Sequence, residues 1–315
     1  MKASLARSVV ERWVLLVPMV PAVPLMSLAA LAALAALAGC GGGTPADTLS
    51  ASPAPAVPAA PAASAATAPG VPAGHVLVWS DEFDQAGLPD PSHWDFDADR
   101  NAAGWYNNER QYYTRARAAN AVVVDGKLLI TARKEDLSSA ADWGGQHYSS
   151  ARLITRGKAD WTYGFFEVRA KLPCGAGTWP AIWTLGSGGR WPQDGEIDIM
   201  EQVGSNPNRV SGTVHTQAGS GGNSKGGATQ VTDACTAFHN YQMTWTADAI
   251  EWGVDGVNYF RYANPRSGNA AWPFTAPQYL LLNLAIGGDL GGAVDDRIFP
   301  VTLQIEHVRV YQAPK

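Results

Sequence analysis

Charged side chains are scarce in this chain. Only 16% of its 315 residues are Asp, Glu, Lys or Arg, and the formal net charge is -5. Nucleic-acid binding needs a basic surface that neutralises phosphates, so this composition excludes nucleic acid as a partner. The three cysteines lack the CxxC or Cys/His spacing of a zinc site. The chain has instead 46% hydrophobic residues and 12 tryptophans, which is enough for one large core.

The N-terminal region lacks an apolar run long enough to span a membrane. The uninterrupted run from Leu25 to Ala38 is shorter than the roughly 20 residues that a spanning helix needs, and three prolines interrupt the residues before it. This run follows a basic start and ends in Leu-Ala-Gly-Cys at residues 37–40. The pattern resembles a bacterial lipoprotein signal over residues 1–39, with Cys40 as the lipidated residue. We expect an exported protein anchored to the cell envelope by lipid, with ordinary secretion as the alternative.

Residues 40–73 lack the apolar side chains of a folded segment. After Cys40 they are almost entirely Ala, Pro, Ser, Thr and Gly, a composition that buries too little surface to offset the entropy of ordering. We interpret this stretch as a flexible linker. Beyond it, Cys174 and Cys235 are an even pair in an oxidising compartment, and both a disulfide and two buried free thiols are compatible with the sequence.

A sustained helical period is missing after residue 75, so we expect few and short helices. Alternating strand patterns recur there instead, separated by Gly, Pro and Asn. Asp-Gly pairs at residues 125–126 and 255–256 each predict a tight hairpin turn. The patterns cover residues 122–131, 165–172, 241–246, 250–262 and 305–312. They predict one all-β domain over residues 74–315, a sandwich or a barrel.

One stretch, "DGEIDIMEQVG" at residues 194–204, places three carboxylates among apolar residues and glycine. Strand alternation puts Glu196 and Asp198 on one face but sends Glu201 to the other. One extra residue, a β-bulge near Ile199 or Met200, would return Glu201 to the face of the other two acids. The segment therefore predicts a bulged strand with three acids on one face.

Three neighbouring carboxylates repel one another, which raises at least one pKa and lets a protonated acid coexist with an ionised nucleophile. Cleavage of a glycosidic bond needs that combination. A solvated acidic face on an edge strand and a calcium site are the alternatives. Nearby tryptophans favour a sugar site, because sugar rings stack on indole; they are Trp179, Trp183 and Trp191.

"GEIDIMEQVG" resembles the catalytic signature of glycoside hydrolase family 16, in the longer form with two residues between the Asp and the second Glu. Further segments resemble the family in its own order: "WSDEFD" (79–84), "YNNERQYYT" (106–114), "GKLLITARKE" (126–135), "GTWPAIWTLG" (177–186), "GTVHTQ" (212–217), "LLLNLAIGGDLGG" (280–292) and "VRVYQ" (308–312). The whole set most resembles the bacterial laminarinase branch, the endo-β-1,3-glucanases.

The resemblance implies a β-jelly-roll sandwich of two antiparallel sheets with a concave substrate cleft. It implies that Glu196 is the nucleophile, Glu201 the general acid/base and Asp198 the assisting carboxylate. It also implies that three tryptophans shape the donor sugar sites, namely Trp179, Trp183 and Trp191.

Asn108, Arg110 and His215 are further substrate-binding candidates by this resemblance. A turn residue is the alternative for Asn108, a structural ion pair for Arg110, and a core histidine for His215. We expect the strand of His215 to run parallel to the acid strand.

The resemblance implies no required cofactor. A structural calcium ion near Glu82 and Glu306 is the one metal it suggests, and Glu306-His307 stands where the family often has Asp-Tyr.

For function, the resemblance implies an endo-acting, retaining hydrolase of β-1,3-glucan. Mixed-linkage β-1,3-1,4-glucan is a second substrate, and agar or carrageenan galactans are a third, although sulfate would call for more cations. A non-catalytic β-glucan-binding lectin is the alternative from another functional class, which the intact glutamate pair disfavours. We expect a monomer that contacts a membrane only through its N-terminal lipid.

Overall fold

The structure is a computed structural model that describes residues 70–314. The expected signal peptide, Cys40 and nearly all of the linker therefore lie outside the described residues. Within residues 70–314, no helix is both long enough and apolar enough to cross a membrane.

Strands are the predominant regular structure of the described chain, as the alternating patterns predict. They are β1 (Val76–Asp81), β2 (Asp95–Phe96), β3 (Gln111–Tyr113), β4 (Ala121–Val124), β5 (Lys127–Lys134), β6 (Tyr148–Ser150), β7 (Arg152–Ile154), β8 (Gly164–Lys171), β9 (Thr178–Gly186), β10 (Glu196–Gln202), β11 (Arg209–His215), β12 (Lys225–Gln230), β13 (His239–Trp245), β14 (Ala249–Val254), β15 (Val257–Ala263), β16 (Gln278–Ile286) and β17 (Val301–Gln312).

Helices in the described range are short, which confirms the expectation from the missing helical period. One α-helix, α1, covers Gly288–Gly291. Three single turns of 3-10 helix cover Tyr106–Asn108, Gly221–Asn223 and Asp296–Ile298.

The strands form two sheets. The larger sheet has ten strands in the order β15-β14-β13-β8-β17-β5-β6-β3, with β1 paired to β17 and β4 paired to β5. The smaller sheet has seven strands in the order β12-β11-β10-β9-β16-β7-β2. Pairing is antiparallel except between β3 and β6, which run parallel. The expected sandwich of two largely antiparallel sheets is confirmed.

Both Asp-Gly pairs form the predicted hairpins. Asp125-Gly126 joins β4 to β5, and Asp255-Gly256 joins β14 to β15. All four residues have positive φ, between 50° and 82°. A two-residue turn of this kind needs positive φ at both positions, which Asp followed by Gly tolerates well.

The core fills the space between the two sheets. From the smaller sheet it receives Ile182 of β9 and Ile197 of β10, both fully buried. From the larger sheet it receives Phe166 of β8, Met243 of β13 and Trp252 of β14. Alternation along each strand then sends the intervening side chains of the smaller sheet to its other face, where the acids lie.

Cys174 and Cys235 form a disulfide, which decides between the two possibilities that the sequence leaves open. Cys174 lies in the loop from β8 to β9, and Cys235 lies in the loop from β12 to β13. The bond therefore links the loop before β9 of the smaller sheet to the loop before β13 of the larger sheet.

Candidate active site

The predicted bulge is present in β10. Asp198 pairs with Thr213 of β11, and the next paired residue, Glu201, is opposite Ser211. Two residues of β10, Ile199 and Met200, thus stand against a single residue of β11. Both are buried in the core, at 1% and 0% exposure, so the bulge lets two successive apolar side chains enter the core and restores Glu201 to the acid side.

We call the outer side of the smaller sheet that carries the three acids the acid face. On it, Glu196 lies opposite Leu185 of β9 on one side and His215 of β11 on the other. Asp198 lies opposite Trp183. Because β10 is flanked by β9 and β11, the alternative of a solvated edge strand is wrong.

An indole N–H donates a hydrogen bond to each glutamate. Trp191 Nε1 donates to Glu196 Oε2 at 2.5 Å, and Trp179 Nε1 donates to Glu201 Oε1 at 2.8 Å. Trp179 is buried, whereas Trp191 is 55% exposed. Trp191 therefore combines a fixed polar edge with a ring open to solvent, an arrangement suited to a sugar ring, whose CH groups contact the indole face.

His215 lies beside Asp198, with Nε2 3.2 Å from Oδ2. The backbone N–H of Gly221 donates to Nδ1 of this histidine at 3.1 Å. Since Nδ1 accepts a hydrogen bond, the proton of the neutral imidazole resides on Nε2 and points towards the aspartate. His215 therefore supports the acid group, and the alternative of a core histidine is wrong. Its strand runs antiparallel to β10, not parallel, because residues 203–208 connect the two strands directly.

Burial raises the pKa of all three acids. The pKa of Glu196 lies well above its ordinary value, because the group is desolvated and faces the charge of Asp198. Desolvation and then repulsion from Glu201 raise the pKa of Asp198 in the same way. Desolvation also raises the pKa of Glu201, although the Trp179 hydrogen bond opposes it. The cluster therefore retains protons at a pH where isolated carboxylates have lost them.

The third predicted tryptophan belongs to a polar network on the same face. Trp183 Nε1 donates to Asn283 Oδ1 at 2.7 Å, and the Asn283 amide donates to the hydroxyl of Tyr113 at 3.0 Å. The guanidinium of Arg152 lies 4.7 Å from the Trp183 ring centroid and forms an ion pair with Asp97 at 3.1 Å. Sequence reasoning missed Arg152 and Asn283, because their partners belong to strands that are far away in the sequence.

Glu109 is another missed acid. It is largely desolvated, and burial raises its pKa. Its Oε2 accepts a hydrogen bond from Gln111 at 2.8 Å and lies 3.5 Å from the hydroxyl of Tyr113. The sequence signal that could have identified Glu109 is its position in "YNNERQYYT", between the two candidates Asn108 and Arg110.

Those neighbours have different environments. Asn108 has a φ of 56°, and its amide donates to Asp289 Oδ1 of α1 at 2.7 Å. Asn108 is therefore a turn residue, as the alternative for it stated. Arg110 is exposed, and no ion pair of its guanidinium occurs among the contacts of residues 70–314, which rules out the structural ion pair in that part of the chain. Its side chain packs beside Gly287, where a Cβ would come within 2.8 Å of the arginine Cδ.

A cavity of about 120 Å³ opens beside Glu201, on the side away from Glu196. It is lined by Glu201, Gln202, Val203, Asn206, Arg209, Ser211 and Leu290. Leu290 is 52% exposed, so the lining combines an exposed apolar side chain with polar groups.

A metal ion has little support in either place where acids suggest one. Among the described residues, Glu196, Asp198 and His215 have potential ligand atoms within 4.8 Å of one another. The histidine, however, carries its proton on the nitrogen that faces the group, and calcium prefers oxygen ligands. At the other place, Glu82 is paired with Arg309 at 2.8 Å and Glu306 with Arg169 at 2.6 Å, so these side chains do not support the predicted calcium site.

Known proteins resemble this chain over most of the residues that the structure describes. The family model described as "Glycosyl hydrolases family 16" matches residues 108–296. The chain is 51% identical over 251 residues to the "Beta-glucanase" of Rhodothermus marinus, covering 75% of this chain and 85% of that protein.

Solved structures agree. A non-specific endo-beta-1,3(4)-glucanase superposes with a TM-score of 0.76 at 49% identity, over 79% of this chain and 97% of its own. The laminarinase of Rhodothermus marinus gives a TM-score of 0.72 at 49% identity, over 76% and 98% of the two chains. The chain therefore belongs to glycosyl hydrolase family 16.

Proposed function

We propose that this protein is an endo-acting, retaining glycoside hydrolase that cleaves β-1,3-glucan. The observation that carries the proposal is the acid face. A bulge places Glu196, Asp198 and Glu201 together, and a separate indole N–H holds each glutamate. A lectin would need neither the repulsion of three buried acids nor the bulge that brings the third acid back.

In the first step, the Glu196 carboxylate attacks the anomeric carbon while Glu201 donates its proton to the glycosidic oxygen. The bond from the anomeric carbon to that oxygen breaks, and the leaving sugar departs as an alcohol. The raised pKa of Glu201 keeps its proton available for this step. The cavity beside Glu201 is where we place the leaving sugar.

In the second step, the ionised Glu201 takes a proton from water, and the oxygen of that water attacks the anomeric carbon of the glycosyl-enzyme ester. Glu196 leaves as a carboxylate, so two inversions give net retention. Glu196 and Asp198 are hydrogen-bonded to each other, and this bond raises the pKa of Glu196 while it opposes the rise in the pKa of Asp198. Glu196 has to be ionised to attack, so in this step the proton that it shares with Asp198 passes to Asp198.

The choice of β-1,3-glucan rests on the relatives, which include a beta-glucanase and a laminarinase. The non-specific endo-beta-1,3(4)-glucanase supports mixed-linkage glucan as a second substrate.

The test is to incubate the purified protein with laminarin, barley glucan, lichenan and agarose, and to size the products over time. We expect short oligosaccharides of mixed length from laminarin at early times. Glu201→Gln is expected to lose activity, and Glu251→Gln, which removes a glutamate from the larger sheet that pairs with Arg261, serves as the matched control. Glucose as the sole early product would contradict the endo assignment, and binding of laminarin without any product would indicate the lectin.

We further propose that the enzyme is exported and held at the cell envelope by lipid on Cys40. The support is the Leu-Ala-Gly-Cys stretch after an apolar run, followed by a linker of small residues and proline. We also propose that the chain acts as a monomer and needs no cofactor.

A further inference from the structure

The bulge of β10 is held from inside the core. The indole Nε1 of Trp252 donates a hydrogen bond of 2.7 Å to the backbone carbonyl of Asp198, the residue at which the pairing register shifts. Trp252 belongs to β14 of the opposite sheet and is fully buried. A bulge interrupts the ladder of its strand, and this indole supplies a donor at the point of interruption.

Gly212 makes room for that indole. It is the single residue of β11 that faces the two bulged residues of β10. A Cβ on Gly212 would lie 2.2 Å from Cδ1 and 2.5 Å from Nε1 of Trp252. Any side chain at this position would therefore displace the indole from the Asp198 carbonyl.

Phe260 packs behind the same indole, with ring centroids 5.3 Å apart. A Cβ on Gly227 would in turn lie 2.5 Å from Phe260. Two glycines of neighbouring strands, β11 and β12, thus leave the space in which the two aromatic rings are fixed.

A buried carbonyl without a donor is costly, so the indole favours the backbone arrangement that exposes this carbonyl to the core. That arrangement is the bulged one. Without the bulge, a slip of one residue would turn Glu201 away from the acid face, because side chains alternate along a strand.

We propose that Trp252 is a positioning residue that aims Glu201 by holding the bulge, and that Gly212 is required because it admits the indole. This inference rests on the proposed function, in which Glu201 donates a proton to the leaving oxygen. The indole itself touches no reacting atom.

The test compares two substrates in the variant Trp252→Phe. Laminari-oligosaccharides need proton donation by Glu201, whereas a 2,4-dinitrophenyl β-laminaribioside has a leaving group that needs none. The ratio kcat/KM reports the first step for both substrates. A displacement of a catalytic group by about 1 Å lowers the rate roughly 100-fold. We therefore expect kcat/KM to fall roughly 10-fold to 100-fold on the oligosaccharides, with no comparable fall on the aryl glycoside. KM should change little.

Trp245→Phe is the matched control. Trp245 is also buried in the larger sheet, and its indole donates to the carbonyl of Phe274 at 3.0 Å. The substitution thus removes an equivalent hydrogen bond away from the bulge, and both substrates should be affected equally. Replacing Trp252 by benzothienylalanine, which keeps the ring shape and lacks the N–H, gives a second variant with little change in packing. Gly212→Ala should reproduce the selective loss.

Wild-type protein that does not cleave laminari-oligosaccharides would overturn the proposed function. Active wild-type protein with equal losses on the two substrates in Trp252→Phe and in the benzothienylalanine variant would overturn only the positioning role. A selective loss in Trp245→Phe as large as that in Trp252→Phe would also overturn it, since the effect would then not depend on the bulge.

Discussion

Removal of the disulfide should lower stability strongly and leave catalysis intact. Cys174 and Cys235 close a loop with a sequence separation of 61 residues. The loss of loop-closure entropy in the unfolded chain then corresponds to about 4 kcal/mol of stabilisation at 25 °C. In a domain of 150 to 250 residues, 1 kcal/mol shifts Tm by about 2 to 4 °C, so we expect the Cys174→Ala/Cys235→Ala variant to unfold roughly 8 to 16 °C below the wild type.

Differential scanning calorimetry measures this difference, and the wild type treated with dithiothreitol is the control. The reduced wild type should unfold at nearly the same temperature as the double variant. At 25 °C the variant should keep the wild-type kcat on laminarin, because neither cysteine contributes to the acid face. Two reactive thiols in the native, non-reduced protein would show that the bond does not form, and a Tm difference under about 2 °C would refute the entropic argument.

Three further outcomes follow from the site and the N-terminal sequence. In Trp179→Phe, the loss of the indole N–H removes a hydrogen bond that favours the ionised form of Glu201, so the pKa of Glu201 should rise. Activity falls on the basic side because this acid loses its proton there. The basic limb of the pH profile of kcat/KM should therefore move to higher pH. Trp183→Phe, whose indole bonds to an amide oxygen, should leave that limb in place, and a limb that does not move in either variant would contradict this assignment. Asp198→Asn should lower kcat by roughly 100-fold to 1,000-fold, in the range seen when one electrostatic contact is lost, with no recovery on addition of azide; recovery with azide would point to a nucleophilic or proton-transferring role. Cys40→Ser should give exported protein that no longer partitions into detergent in a phase-separation assay, whereas unchanged partitioning would contradict lipid anchoring.

Local pattern was enough to predict part of the strands, namely β4, β5, β8, β13, β14, β15 and β17, together with the bulge of β10. The parity of Glu196, Asp198 and Glu201 along a strand requires an extra residue, and this argument needs no partner strand. The Asp-Gly turns are likewise local, since both residues of each pair supply the positive φ that the hairpin demands. These features were predictable because they depend on residues a few positions apart.

Contacts between distant segments were not predictable. Trp252 and Asp198 are 54 residues apart and belong to different sheets, so no periodicity relates them. The same holds for Arg152 and Trp183. Their strands, β7 and β9, lie on either side of β16 in the smaller sheet, and the long arginine side chain reaches across β16 to the indole. A resemblance suggests which residues matter, but the pairing of the sheets decides what each one touches.

One expectation failed for an identifiable physical reason, and a second stays a prediction. His215 was expected on a strand parallel to the acid strand, but a direct connection of a few residues reverses the chain and makes the pair antiparallel. The suggested calcium site near Glu82 and Glu306 stays a prediction, and the structure adds that these carboxylates are paired with Arg309 and Arg169.

The central claim is that Glu196 is the nucleophile and Glu201 the acid/base of a double displacement. Its most direct test is the product that Glu201→Ala forms from a 2,4-dinitrophenyl β-laminaribioside in the presence of azide, identified by proton NMR. The nucleophile survives in this variant, so the glycosyl-enzyme still forms, and azide should enter from the face that water normally uses, giving the β-glycosyl azide. An α-glycosyl azide would contradict the account, because it would mean that the deleted side chain was the nucleophile.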